Sequence, residues 1–179
     1  MDRGRGQGWE EKVQHEVFEK YLLFTEKVEN KFIHRKVRIQ TTDFKGTATV
    51  SLPDFVIVRP KYIELVECKI GNHPSYYLAQ AIGELLVYRS LMELGYKLQN
   101  IPANMLDGKK IHLSICMVNG YQYGKNGDEW TSAHTELLKK MEKMLNEEIS
   151  IYLVEPIDKS KATKEYWYKP ECQKVEKLK

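Results

Sequence analysis

Two carboxylates and an ammonium group stand close together in this chain: Pro53-Asp54, twelve intervening residues, then Glu67-Cys68-Lys69. Alternate residues of a strand share a face, so Glu67 and Lys69 would project the same way, ~6–7 Å apart. Asp54 joins them if its own segment pairs alongside. Such a patch suits a hard divalent cation, because magnesium takes oxygen ligands, keeps several waters and needs only one or two protein carboxylates. A neighbouring lysine would balance the negative charge and steer or help deprotonate a water. The bare pattern Glu-x-Lys is unspecific, since it recurs at Glu10/Lys12 and Glu29/Lys31. Context separates the three. Only Glu67/Lys69 lies in a β-patterned run, with apolar neighbours Ile63, Leu65, Val66 and Ile70. The plainer reading makes Asp54 a strand-entry residue and Glu67 with Lys69 a solvated charge pair. Cys68 alternates to the opposite sheet face, which argues against it as a nucleophile beside them.

These residues need elements to hold them. Over residues 9–28 the apolar positions Val13, Val17, Tyr21, Phe24 and Val28 recur at three- or four-residue spacing, which predicts a helix with one buried stripe. Residues 32–41, 48–58 and 62–70 are β-like, and Arg59-Pro60-Lys61 between the last two predicts a tight antiparallel hairpin. A second helix is expected over 75–94, entered through Pro74 and ended by Gly95. The nearly all-apolar run 111–118 suits a buried central strand. A loop rich in Gly, Asn and Tyr (119–128) precedes a third amphipathic helix over 131–147, and 149–154 reads as a last strand. The order αβββαβαβ predicts an α/β fold, one mixed sheet with helices packed on its faces.

Composition bounds the class. With 179 residues, 42% hydrophobic and 30% charged, the chain has the size of one domain with a sizeable core. No ~18-residue apolar run offers a membrane span. The first residues lack the apolar stretch of a standard export signal, and three scattered cysteines form neither a disulfide framework nor a CxxC zinc site, so an intracellular, cytoplasmic location is expected. Residues 1–8 read as a flexible basic arm, 9–155 as the folded domain and 156–179 as a basic tail. After Pro156 seven lysines face four acids, so that tail carries the whole net charge of +3.

The spacing Pro-Asp, twelve residues, Glu-Cys-Lys resembles the motif of the PD-(D/E)XK nuclease superfamily, and the predicted order resembles its αβββαβ core over residues 9–118. The resemblance implies a restriction-endonuclease-like core with an additional C-terminal helix and strand. The segment 79–89 is similar to the helix after the ExK strand of many members, where a Gln and a Tyr face the active site. The implied roles follow residue by residue. Asp54, Glu67 and the backbone carbonyl of Cys68 would ligate Mg²⁺ (Mn²⁺ substituting), and Lys69 would position or activate the attacking water. Glu10, on the first helix, would complete the site, with Glu11 and Glu16 as alternatives; the helix macrodipole alone also favours acids there. His15 is either a surface residue of that helix or, as in the RecB-like branch, a metal ligand. Gln80 is the candidate glutamine, although here it precedes Glu84 at i+4 and Tyr88 at i+8 rather than a tyrosine at i+4. His34, His73, His112 and His134 show no ligand spacing.

The implied activity is metal-dependent hydrolysis of DNA phosphodiesters, with an endonuclease of recombination, repair, replication or restriction favoured over a RecB-like exonuclease. A relationship to archaeal Holliday-junction resolvases would add a homodimer, since two symmetric cuts need two sites. Candidate DNA contacts are Arg3, Arg5, Tyr88, Tyr121, Tyr123, Lys161, Lys164 and Trp167. The aromatic run Tyr166-Trp167-Tyr168 either stacks bases or pins the C-terminus to the domain. The rival reading is a non-catalytic nucleic-acid-binding module on the same fold. Without a cation, however, paired carboxylates would repel DNA.

Overall fold

The alternation on either side of Arg59-Pro60-Lys61 becomes a hairpin in the computed structural model, which describes residues 5–40, 53–69, 74–122, 125–126, 129–161, 163, 166 and 169–178. Strand β3 (Phe55–Val58) pairs antiparallel with β4 (Tyr62–Lys69), Phe55 opposite Val66 and Val58 opposite Ile63. The Arg59 N–H donates to the carbonyl of Tyr62 at 2.9 Å and closes the turn. Pro53 has no N–H to offer a ladder, consistent with pairing that begins only at Phe55. The expected long strand over 32–41 is broken. Its first part, β1 (Ile33–Arg35), pairs with β3, and then Lys36 adopts φ 48° and turns the chain away. The remainder, β2 (Ile39–Gln40), pairs instead with β5 (Lys97–Leu98) in a separate two-stranded sheet.

Helix α2 (Pro74–Glu93) follows β4 and is punctuated as expected. Gly95, at φ 87°, and Tyr96 return their N–H groups to the carbonyls of Met92 and Leu91, an ending that L residues resist. The chain then re-enters the sheet as β6 (Lys110–Val118), parallel to β4. A small ribbon, β7 (Tyr121–Gln122) with β8 (Lys125–Asn126), occupies part of the expected loop. Helix α3 (Ser132–Leu145) opens with His134 Nδ1 accepting the Thr131 N–H at 2.9 Å and closes at Asn146 in the left-handed region. Strand β9 (Ile149–Pro156) lies parallel to β6. The resulting six-stranded mixed sheet has the order β1-β3-β4-β6-β9-β10.

The last strand, β10 (Gln173–Lys177), corrects the expected tail. It pairs antiparallel with β9 from Gln173 opposite Pro156 to Lys177 opposite Tyr152. Two of the tail lysines are consequently spent on structure: Lys174 lies 2.9 Å from Glu155, and Lys177 sits over the Tyr152 ring. The Tyr166 hydroxyl accepts the Asp158 N–H at 3.1 Å. Alternating charges on β10 also suit an edge strand, where charge discourages pairing with other chains.

Pleating divides the core into two layers. Val56, Val58, Ile63, Leu65, Leu113, Ile115 and Met117 pack on one face with α2 and α3, and Phe55, Ile57, Val66, Cys116 and Tyr152 on the other with helix α1 (Arg5–Phe24). Helix α1 starts at Arg5, so residues 5–8 are helical rather than part of an arm, and it ends before Val28. Its buried stripe is also rotated from the expectation. Val13, Val17, Phe18 and Leu22 are buried, while Phe24 is 68% exposed. Among the described residues no helix is long and apolar enough to cross a membrane.

Candidate functional site

The β4 residues after Val66 reach the carboxyl end of a parallel pair, β4 and β6, where ligands of α/β sheets characteristically bind. Asp54 immediately precedes β3, whose pairing with β4 begins at Phe55 opposite Val66, and its charge acts on Glu67. Glu67 and Lys69 both point to the α2 side, and Lys69 Nζ donates to Glu67 Oε1 at 2.8 Å. Glu67 is only 6% exposed, and its Oε2 is buried with no hydrogen-bond partner. Burial raises its pKa first, then the Asp54 charge and the nearby Glu84. Lys69 opposes them, yet the carboxyl is pushed up to about 9. A carboxylate that dry, beside a second carboxylate, lacks positive charge.

Helix α2 supplies the other wall. Glu84 Oε2 accepts a bond from Lys69 Nζ at 2.5 Å, and its Oε1 accepts from Gln80 Nε2 at 2.9 Å. Gln80 is thus bonded to Glu84, a residue that the sequence pattern did not single out as a member of the site. The available signal was spacing: Glu84 lies one helical turn from Gln80 and from Tyr88, on the face directed at β4. Burial tends to lower the Lys69 pKa, but its bonds to Glu67 and Glu84 outweigh this and hold it above its usual value. Burial likewise tends to raise Glu84, but its bonds to Glu67, Lys69 and Gln80 hold it below the ordinary carboxylate range. Tyr88 is buried in the core, so its ring is no surface for nucleic acid. Burial and then the charges of Glu67, Glu84 and Asp54 raise its phenol pKa.

Helix α1 closes the site from the opposite face. Gln14 Nε2 donates to the carbonyls of Cys116 at 2.9 Å and Lys69 at 3.3 Å, pinning the helix to both strand ends. His15 is 1% exposed, which corrects its reading as a surface residue, and its Nε2 lies 3.5 Å from Asp54 Oδ1. The signal was in the helix: Phe18 and Leu22 stand at i+3 and i+7 from His15, so a stripe drawn through them includes it. Asp54 Oδ2 accepts the Cys68 N–H at 2.8 Å. Its carboxylate, the imidazole of His15 and the Cys68 thiol bring one donor atom each within 4.8 Å of one another.

The remaining candidates divide. Glu10, Arg5 and Tyr121 lie in α1 and β7, with side chains outside the described ones, whereas Arg3, Tyr123, Lys164 and Trp167 lie outside the described residues altogether. Lys161 is exposed but ion-paired with Asp158 at 3.0 Å. Two of the other histidines have structural partners, His112 with Ser150 and His134 with Thr131. Comparison with protein-family models, curated proteins and solved structures returned no match for this chain. The functional reading accordingly rests on the geometry.

Proposed function

We propose that this protein is a divalent-cation-dependent deoxyribonuclease, acting as an endonuclease on a PD-(D/E)XK-type core. The observation that carries this reading is the buried, partnerless Oε2 of Glu67, with Lys69 alongside and Asp54 bonded to the neighbouring Cys68 N–H. The element order supports it: within the six-stranded sheet α1, the antiparallel set β1-β3-β4, α2 and a parallel β6 follow one another in an αβββαβ order, with the short β2 and β5 set apart in their own sheet.

Asp54, Glu67 and the Cys68 carbonyl are the groups to hold Mg²⁺, which when bound stabilises charge on phosphoryl oxygens and acidifies water. Lys69 holds its proton firmly between two carboxylates, so it serves as a fixed positive charge that orients the attacking water and the scissile phosphate. Glu84 positions Lys69. The buried Tyr88 and the apolar residues below it keep bulk water from the inner side, which strengthens each charge interaction. His15 against Asp54 favours a second reading, the RecB-like exonuclease branch, whose first-helix histidine ligates the metal.

Cleavage of supercoiled, linear, single-stranded and branched DNA, with Mg²⁺, Mn²⁺ or EDTA, tests the proposal. Cation-dependent cuts in closed circles are expected; digestion restricted to free ends moves the assignment to the exonuclease. Cation-dependent binding with no cleavage of any form leaves the binding module. Lys69→Ala should lower turnover by ~10²–10⁴-fold while DNA binding persists, and wild-type turnover in that variant would overturn the mechanism. Glu84→Gln should cost about 10–100-fold. Because it removes a carboxylate that holds the lysine proton, it should also move the alkaline limb of the pH–rate profile to lower pH. A merely structural role for Glu84 would leave that limb in place.

A further inference from the structure

The Cys68 thiol has no part in that mechanism, in which only its backbone carbonyl serves. Its side chain turns to the α1 face, as strand alternation requires, and there meets His15 and Asp54. A sulfur, an imidazole nitrogen and a carboxylate oxygen form the donor set of a borderline-soft cation rather than of magnesium, which prefers oxygen alone. We propose that His15, Asp54 and Cys68 form a zinc-class site, distinct from the oxygen-lined magnesium site but sharing Asp54 with it.

The geometry suits that ion. Two bonds of ~2.0–2.1 Å at the tetrahedral angle separate nitrogen and oxygen donors by ~3.3–3.4 Å, and His15 Nε2 stands 3.5 Å from Asp54 Oδ1. The third donor lies within the same 4.8 Å of separation, and a cysteine sulfur bonds zinc at ~2.3 Å. The ligands come from three rigid places: the middle of α1, the entry to β3 and the end of β4. The Cys68 N–H bond to Asp54 Oδ2 fixes the carboxylate so that Oδ1 faces His15. Asp54 is the accessible member, 15% exposed at its side chain, so the ion enters from its side and the fourth position falls to water. As the sulfur–metal bond forms, the thiol releases its proton to solvent.

One consequence rests on the nuclease reading. Asp54 cannot serve both ions fully, so zinc in this site would withdraw a ligand from magnesium and inhibit Mg²⁺-dependent cleavage. The binding itself is independent of that reading, and its test needs no DNA. The chelator-treated full chain is titrated with Co²⁺, which reports thiolate ligation by a sulfur-to-metal charge-transfer band and tetrahedral geometry by strong visible bands. One equivalent should give both signals, and Zn²⁺ should displace it. Cys68→Ser should abolish the charge-transfer band, whereas Cys116→Ser and Cys172→Ser keep it. Should Cys68→Ser fail to fold by circular dichroism, the near-isosteric Asp54→Asn decides, with affinity lower by at least tenfold. No band in the wild type, a band retained in folded Cys68→Ser, or unchanged affinity in Asp54→Asn overturns the site. Cleavage with Mg²⁺ but no cobalt band removes this inference and leaves the nuclease standing; the reverse pair of results does the opposite.

Discussion

Glu67→Gln is expected to abolish cleavage and, in EDTA, to make the protein more stable than wild type. The two effects share a cause. The folded protein holds the Glu67 proton up to about 9, against an ordinary 4.5. Between those values the native state binds more protons than the unfolded chain, so stability falls as pH rises through that window. An amide needs no ionisation. By pH 8 the variant should be ahead by on the order of 2 kcal/mol, with the gap closing toward pH 5. Thermal melts across pH 5–9 read this directly. Mg²⁺ should stabilise the wild type more than the variant, because a ligand that binds only the native state raises its apparent stability. Cleavage should drop by at least ~10²–10³-fold with one charged ligand gone. Parallel pH profiles for the two proteins would remove the case for a cation at Glu67.

The second large effect lies three residues earlier on the same strand. Glu64 is 1% exposed and faces α1, and every lone-pair direction of its carboxylate is used. Oε1 accepts bonds from Ser114 at 2.7 Å and Tyr152 at 2.8 Å; Oε2 accepts from Arg59 Nε at 3.0 Å and Nη2 at 2.8 Å. Burial tends to raise its pKa, but the Arg59 charge and these bonds outweigh that and hold it below its usual value. Glu64→Ala should therefore destabilise by ~2–4 kcal/mol, since it strands two buried hydroxyls and leaves the Arg59 guanidinium with Glu26 as its remaining carboxylate. A fall in Tm of roughly 10 °C is expected for a chain of this size. The sign of the pH effect is opposite to that of Glu67. Stability from Glu64 is present above its unfolded pKa and lost as pH falls through its lower folded one. Arg59→Met with Glu64→Leu should recover only part of the loss, because it relieves the charge pair but leaves the Ser114 and Tyr152 hydroxyls without their acceptor. If Glu64→Ala melts with the wild type, the network contributes nothing.

These two glutamates mark the boundary of what the sequence could say. Alternation places Glu64 and Glu67 on opposite faces, and that much is legible. Which face holds an arginine and which holds a second carboxylate depends on the hairpin register and on the helices above and below. The same division holds for the helices. Pro74 and Gly95 announce α2 because capping is local, but they do not reveal that Glu84, rather than Gln80, meets Lys69. The rotation of α1 was misjudged by choosing Tyr21 and Phe24 over Phe18 and Leu22. That choice hid His15, whose burial comes from contact with strands some forty or more residues away.

What sequence by itself determined were the elements whose cause is local. These include the hairpin around Pro60, the capped α2 and the nearly all-apolar central run of β6. The tertiary structure alone decided that Gln173–Lys177 would be a sixth strand. That run carries a single valine among polar residues, so its tendency to extend comes from the exposed ladder of β9. It also decided that the Cys68 thiol and the His15 imidazole would meet beside the Asp54 carboxylate. Periodicity specifies which side of an element is apolar; which elements face one another is settled only when the whole core closes.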